Sequence, residues 1–288
     1  MSLVESHSAD GIVELRLARA PVNALNPQLC NDLVDALAAA VDSGAQGIVL
    51  GGGVKVFSAG LDVPHLLSLG DDRDALMAAW ESFFLAARAI AECPVPVVAA
   101  IAGHAPAGGC VLALCCDYRV MARSEDPAKP FRIGLNETQV GLVVPVGILH
   151  LMQRVVGTYR AERLVVAGDM VEAERAERIG LVDELVPLEQ VNARAREWLA
   201  QLLKLPAGDA SDPRDRTRGP GCRNASGKHP AAEVHRSVER SFDAGRVEGA
   251  RGEAGEVSVL LARVSACAPR PRATQRPWRR TRRSALHR

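Results

Sequence analysis

Aromatic side chains are scarce in this sequence: five Phe, three Trp and two Tyr in 288 residues. A hydrophobic core therefore has to be built from Ala, Val, Leu and Ile, which the ordinary apolar share of 48% permits. No uncharged apolar run reaches the ~18 residues of a membrane-spanning helix, so no membrane partner is expected. The first ten residues contain no Lys or Arg and no apolar run. They read as neither a secretory signal nor a transit peptide. Cys and His never occur as two pairs at zinc-ligand spacing, so no metal is expected. Nor is there a GxxxxGK[ST] loop, or a GxGxxG in the first 205 residues. Seven cysteines are present, an odd number, with Cys110, Cys115 and Cys116 in an apolar stretch. A disulfide framework is not expected, and buried reduced thiols in a cytoplasmic setting are.

Charge of one sign is also lacking, since 35 Lys and Arg face 34 Asp and Glu, for a net charge of +1. That balance argues against a uniformly basic nucleic-acid binder. It hides two unlike regions. Residues 1–205 hold 17 basic and 25 acidic side chains, whereas residues 206–288 hold 18 basic and 9 acidic. The first region is long enough for one domain with a large core. The second is rich in Arg, Gly and Pro and contains one short apolar segment, Glu256–Ala262. Three readings of this tail stand side by side: a disordered basic arm for acidic partners or RNA, a lineage-specific extension, and an out-of-frame translation of a GC-rich gene. Arg almost without Lys, with Gly, Pro and Ala, favours the last. A disordered or non-native tail is the expectation, and a nucleic-acid partner is not.

Within residues 1–205, strand-like and helix-like patterns alternate. Gly11–Leu17 alternates apolar and polar residues as a half-buried strand does. Asn26-Pro27 is a helix start, Leu29, Leu33, Leu37 and Val41 form its apolar face, and Gly44 ends it. Strands follow at Gly47–Leu50, Val95–Ile101, Asp117–Met121 and Leu181–Val186. Pro94 and Pro96 place the start of the second of these at an edge or a bend. Helices are expected at about 72–91, Cys110–Cys116, 147–168, Glu172–Ile179 and Glu189–Leu203, with Asp62 capping a short helix near Pro64. The alternation predicts an α/β class with crossover connections.

Two glycine turns, Phe57-Ser58-Ala59-Gly60-Leu61-Asp62 and Pro106-Ala107-Gly108-Gly109-Cys110, each join a strand to a helix. Glycine permits close backbone approach, and a helix start presents unpaired N–H donors. Facing each other, two such turns would hold an oxygen that becomes negative during a reaction. Taken separately, each reads equally as a tight turn.

Several blocks in order carry a family resemblance: PVNALN at 21–26, FSAGLD at 57–62, PVPVVAAIAGHAPAGGCVLALCCDYRVMA at 94–122 and RIGLVDELVP at 178–187. Residues 11–204 resemble the crotonase superfamily, the enoyl-CoA hydratase/isomerase family. PAGGCVLALCCDYRVMA together with IGLNETQVG at 133–141 is most similar to its mitochondrial-type Δ3-Δ2-enoyl-CoA isomerases.

The resemblance implies a crotonase-like ββα superhelix, with the Arg-rich tail in place of the helices that build a trimer. It implies a homotrimer or hexamer, an acyl-CoA thioester substrate, and no cofactor beyond the CoA of that substrate. The Leu61 and Gly108 N–H groups would form an oxyanion hole, and the segments around Ala24 and Ala59 would line the CoA channel, with Val22, Ser58, Asp62, His104 and Asn136 also among the substrate- and CoA-binding residues. Hydratases of the family use two glutamates. Val111 stands at the first of those positions and Glu137 at the second. A lone carboxylate suits a C2-to-C4 proton shuttle that converts 3-enoyl-CoA to 2-enoyl-CoA in fatty-acid β-oxidation. Hydration, thioester hydrolysis and an idle CoA-binding fold with an RNA-binding tail are the alternatives. Without the resemblance, Glu137 reads as a solvated surface carboxylate, His104 as structural, Asp62 as a helix cap and Lys55 as a surface lysine.

Overall fold

The computed structural model describes residues 2–205. The readings of the tail as a disordered arm, an RNA-binding arm or a frameshifted segment, and of Glu256–Ala262 as structured, lie outside the described residues.

The chain opens with a hairpin of β1 (Val4–Ala9) and β2 (Ile12–Leu17). Their connection is Asp10-Gly11, both residues at positive φ (54° and 75°). That is the dipeptide a two-residue hairpin turn demands. From β2 onward the main sheet is parallel, through β3 (Gly47–Gly51), β4 (Val97–Ile101), β6 (Tyr118–Arg123) and β9 (Glu184–Pro187), in the order β1-β2-β3-β4-β6-β9. A smaller second sheet pairs β5 (Ala105–Pro106) with β7 (Arg132–Gly134) and β7 with β8 (Val171–Glu172). Main strand, short second-layer strand and helix thus recur along the chain, most plainly in β4, β5 and α4 (Gly108–Cys115).

Alternation within the central strands sorts side chains to two faces. Ile48 and Leu50 of β3, with Val97, Ala99 and Ile101 of β4, join the large core. That core is closed by α1 (Pro27–Asp42), α3 (Arg73–Glu92) and α4. Val49, Val98 and Ala100 point the other way, toward Val191, Ala195 and Leu199 of α8 (Val191–Leu203). Strands covered on both faces read as continuous apolar runs, as these do. The remaining helices are α2 (Val63–Ser68), α5 (Val146–Val156), α6 (Thr158–Ala167) and α7 (Ala173–Arg178).

Pro94 and Pro96 precede a strand that lies inside the sheet between β3 and β6, so they mark a bend and not an edge. The Pro96 carbonyl still accepts from Ile48 N–H at 2.9 Å. The helix expected from Cys110 begins at Gly108, which places both glycines in its first turn. Among the described residues no helix is long and apolar enough to cross a membrane. Cys30, Cys93, Cys110, Cys115 and Cys116 are buried, with no disulfide joining them. Burial raises the Cys30 thiol to about 12.

Helix α1 carries the sharpest local signal. Asn26 is its N-cap, accepting from Leu29 N–H at 2.9 Å, with Pro27 in the first turn. Asn26→Ala leaves that N–H unpaired and is expected to destabilise the protein by about 1 kcal/mol. In thermal denaturation the midpoint falls by about 2–4 °C.

Candidate active site

The first glycine turn is built against the segment Val22–Asn26. Ala59 N–H donates to the Val22 carbonyl (2.9 Å), Leu25 N–H to the Gly60 carbonyl (2.7 Å) and Asp62 N–H to the Leu25 carbonyl (3.0 Å). The last two are the rungs of an isolated parallel bridge between Leu25 and Leu61. Side chains reinforce it. Asn23, at φ 50°, donates from Nδ2 to the Phe57 carbonyl at 3.1 Å. Ser58 Oγ donates to the Asn23 carbonyl and accepts from Gly60 N–H. Along both segments exposure alternates: Asn23, Leu25, Ser58, Gly60 and Asp62 are buried, whereas Val22, Ala24, Ala59 and Leu61 are half-open. The open set holds three of the residues expected to bind the substrate and its CoA. Ser58 and Asp62, also expected there, instead direct their side chains into the scaffold. Asp62 caps α2 through His65 N–H at 3.0 Å and pairs with Arg19.

The second turn lies directly against the first. A Cβ on Gly60 would stand 3.0 Å from Gly108 N, and one on Gly109 would stand 2.4 Å from the Ser58 carbonyl oxygen. Phe83 of α3 closes the same spot, with its ring edge 3.2 Å from where a Gly108 Cβ would be. Ala107, just before α4, is held at φ 46° and ψ −120°, with its N–H bonded to the Gly134 carbonyl at 2.9 Å. A non-glycine residue in this region stores about 1–3 kcal/mol of strain, which the surrounding bonds must sustain. Neither Leu61 N–H nor Gly108 N–H donates to an acceptor among the described residues. The fold thus brings two unpaired donors together across touching turns, one of them at a helix start.

Glu137 opens a short 3-10 turn, Glu137–Val140. The turn is locked from behind: Thr138 Oγ1 donates to the Val165 carbonyl (3.0 Å) and Gln139 Nε2 to the Gly168 carbonyl (2.7 Å), at the C-terminal end of α6. Glu137 Oε2 is buried with no hydrogen-bond partner, as is Asn136 Oδ1 beside it. Burial raises the Glu137 carboxyl above its usual range, only partly opposed by its own backbone N–H. Its charge in turn pushes the Cys110 thiol up, after burial itself. The next residue on α4, Val111, is buried and apolar.

His104 is directed elsewhere. Its Nδ1 accepts from Arg132 N–H at 3.1 Å and its ring stands edge-on to Phe131, tying the loop before β5 to β7. Burial first, then the Arg132 charge, lowers its pKa. Lys55 is exposed. No group of three or more His, Cys, Asp or Glu able to hold a metal occurs among the described residues. Two scaffold residues were missed in the sequence, Arg19 and Asn23. Asn tolerates positive φ, which is the one local sign Asn23 gives.

This arrangement belongs to a known class. The family model for enoyl-CoA hydratase/isomerase matches residues 7–210, and the chain belongs to that family, within the crotonase superfamily. The fold is accordingly α/β and crotonase-like. Among its relatives, mouse mitochondrial enoyl-CoA delta isomerase 1 is 34% identical over 206 residues, 71% of this chain and 69% of the relative. A probable enoyl-CoA hydratase of Mycobacterium bovis is 33% identical over 209 residues, 72% and 77% of the two chains. Among solved structures, human mitochondrial delta3-delta2-enoyl-CoA isomerase superposes with a TM-score of 0.67 at 26% identity, over 91% of this chain and 92% of that one. An enoyl-CoA hydratase/isomerase family protein of Pseudomonas syringae gives 0.70 at 26%, over 83% and 96%. Isomerase-named and hydratase-named relatives stand at nearly the same distance, so the shared activity is that of the enoyl-CoA isomerase/hydratase class.

Proposed function

We propose that the protein isomerises 3-enoyl-CoA to 2-enoyl-CoA, with Glu137 as its single proton shuttle. The observation that carries this reading is one partly buried carboxylate with an unpartnered oxygen, while Val111 of α4, at the position where the family's hydratases carry a second glutamate, is buried and apolar. The thioester carbonyl oxygen accepts from Leu61 and Gly108 N–H. Glu137 takes a proton from C2, and the electron pair moves into the carbonyl to give a dienolate. The two donors stabilise its negative oxygen, each by about 3 kcal/mol in the transition state. Protonated Glu137 then returns the proton at C4, the double bond forms between C2 and C3, and the carboxylate is regenerated. Burial favours this cycle because it raises the affinity of the carboxylate for the proton it must carry. No metal or redox group enters the balance, and CoA belongs to the substrate. The apolar wall at Val111 offers no second carboxylate to handle water.

Purified protein given 3-enoyl-CoA is expected to raise the ultraviolet absorbance of the conjugated 2-enoyl thioester. Failure of the double bond to move overturns the proposal. Hydration of 2-enoyl-CoA as the dominant reaction establishes the hydratase activity of the family in its place.

A further inference from the structure

Arg19 follows β2 and is not among the residues that meet the substrate in the reading above. Its side chain nevertheless reaches both strands of the bridge that presents Leu61. Nη1 donates to the Ala24 carbonyl at 2.8 Å, and Nη2 pairs with Asp62 Oδ2 at 2.5 Å. Ala24 precedes Leu25, and Asp62 follows Leu61, so the guanidinium spans the bridge one residue from each partner. Its backbone is anchored as well, with Arg19 N–H donating to Asn23 Oδ1 at 2.9 Å and Asn23 N–H to the Arg19 carbonyl at 2.8 Å. The bridge has two backbone rungs and belongs to neither sheet; Asn23 and Ser58 brace it on the Phe57 side, and the Arg19 guanidinium braces its other end, beside Leu61.

We propose that Arg19 is a positioning residue for the Leu61 donor, acting as a clamp between the Ala24 carbonyl and the Asp62 carboxylate. The inference rests on the oxyanion reading of Leu61 and Gly108. The Asp62 side chain is only 9% exposed, so the pair is not the screened surface contact that contributes little. Removing Arg19 leaves a nearly buried carboxylate without its partner. Asp62 then has reason to turn toward water and carry Leu61 with it. A displacement of about 1 Å at a catalytic group lowers a rate by about 100-fold. Arg presents two donors in a rigid fork, whereas Lys is a single point charge, so Lys can hold Asp62 or Ala24 but does not span both.

The test uses butyryl-CoA labelled with 13C at the thioester carbonyl, a saturated probe with no double bond to move. Infrared difference spectra report how strongly the bound carbonyl is hydrogen-bonded, through the fall in its stretching frequency. Wild type is expected to show that fall. Arg19→Met is expected to bind the probe but lose most of the fall, with kcat on 3-enoyl-CoA lower by about 10–100-fold and KM changed far less. Arg19→Lys is expected to recover part of both. Should Arg19→Met not fold, Asp62→Asn replaces it, since Asn keeps a capping oxygen for His65 N–H and loses the ion pair. A variant that binds the probe with the full wild-type frequency shift overturns the positioning role alone. A wild-type spectrum without any shift overturns the oxyanion reading, and the clamp with it.

Discussion

Glu137→Gln is expected to lower kcat for 3-enoyl-CoA isomerisation on the order of 1000-fold while leaving KM close to wild type. Glutamine keeps the size and most of the polarity of the side chain but cannot take a proton from carbon. The pH behaviour separates this loss from a structural one. In wild type the base must be ionised, so kcat falls as pH drops through the pKa of Glu137, which burial holds above the usual 4.5. The residual rate of the variant should lack that acidic limb. Stability moves in the opposite direction. A carboxyl whose folded pKa is raised binds more protons when folded than when unfolded, in the window between the two pKa values. Folding stability therefore decreases as pH rises through that window and stays lower above it. Glu137→Gln removes this burden, so its denaturant midpoint at neutral pH should equal or exceed that of wild type. A variant that is both slow and unstable at neutral pH would mean that Glu137 holds the fold and does not carry the proton.

Gly60→Ala is expected to damage both activity and stability. Gly60 sits at φ 84°, where an L side chain costs about 1–2 kcal/mol. Its new methyl group would also lie 3.0 Å from both Gly108 N and Ala107 Cβ, and 3.3 Å from the Pro106 carbonyl oxygen. Relief requires the two turns to separate, and that pulls apart the donors proposed to share one oxygen. The expected result is a fall in kcat/KM of about 100-fold along with the loss of stability. Gly44→Ala supplies the control. Gly44 has nearly the same φ, 83°, with nothing within 4 Å of an added Cβ. It should show only the stability loss due to positive φ in urea, smaller than that of Gly60→Ala, with wild-type turnover. If both variants retain full activity, contact between the turns is irrelevant to catalysis.

Much of the scaffold was legible because its signals are local. Asn26-Pro27 marks a helix start by side-chain chemistry alone, and the central strands announce burial on two faces by being apolar throughout. β1 was not legible, since only Val4 is buried in Val-Glu-Ser-His-Ser-Ala and the strand shows no alternation. Its one clue was the Asp10-Gly11 turn. β7, at three residues, is too short for a period, and it lies within what reads as a loop. In the site, both glycine turns could be found from sequence, but their contact could not, because residues 60 and 108 meet only through the tertiary fold. The Arg19–Asp62 pair spans 43 residues and has no periodic signature. The exposure of Glu137 was likewise undecidable locally. It depends on α6, whose end carbonyls pin Thr138 and Gln139 and turn the carboxylate inward.

Helix α8 has a consequence for gene architecture. It is the last described element, and Val191, Ala195 and Leu199 cover the face of the sheet that holds Ile12, Val49 and Val98. Among the described residues both clusters of buried side chains draw on nothing beyond α8, which ends within about a turn of where the composition changes to Arg-rich. A change of reading frame downstream of codon 205 would rewrite the C-terminal third of the polypeptide without removing one side chain from either cluster. The same event upstream of codon 191 would strip an entire layer from the sheet. The position of α8 thus marks the earliest point at which this coding sequence can be recast and still specify a sheet with both sides covered.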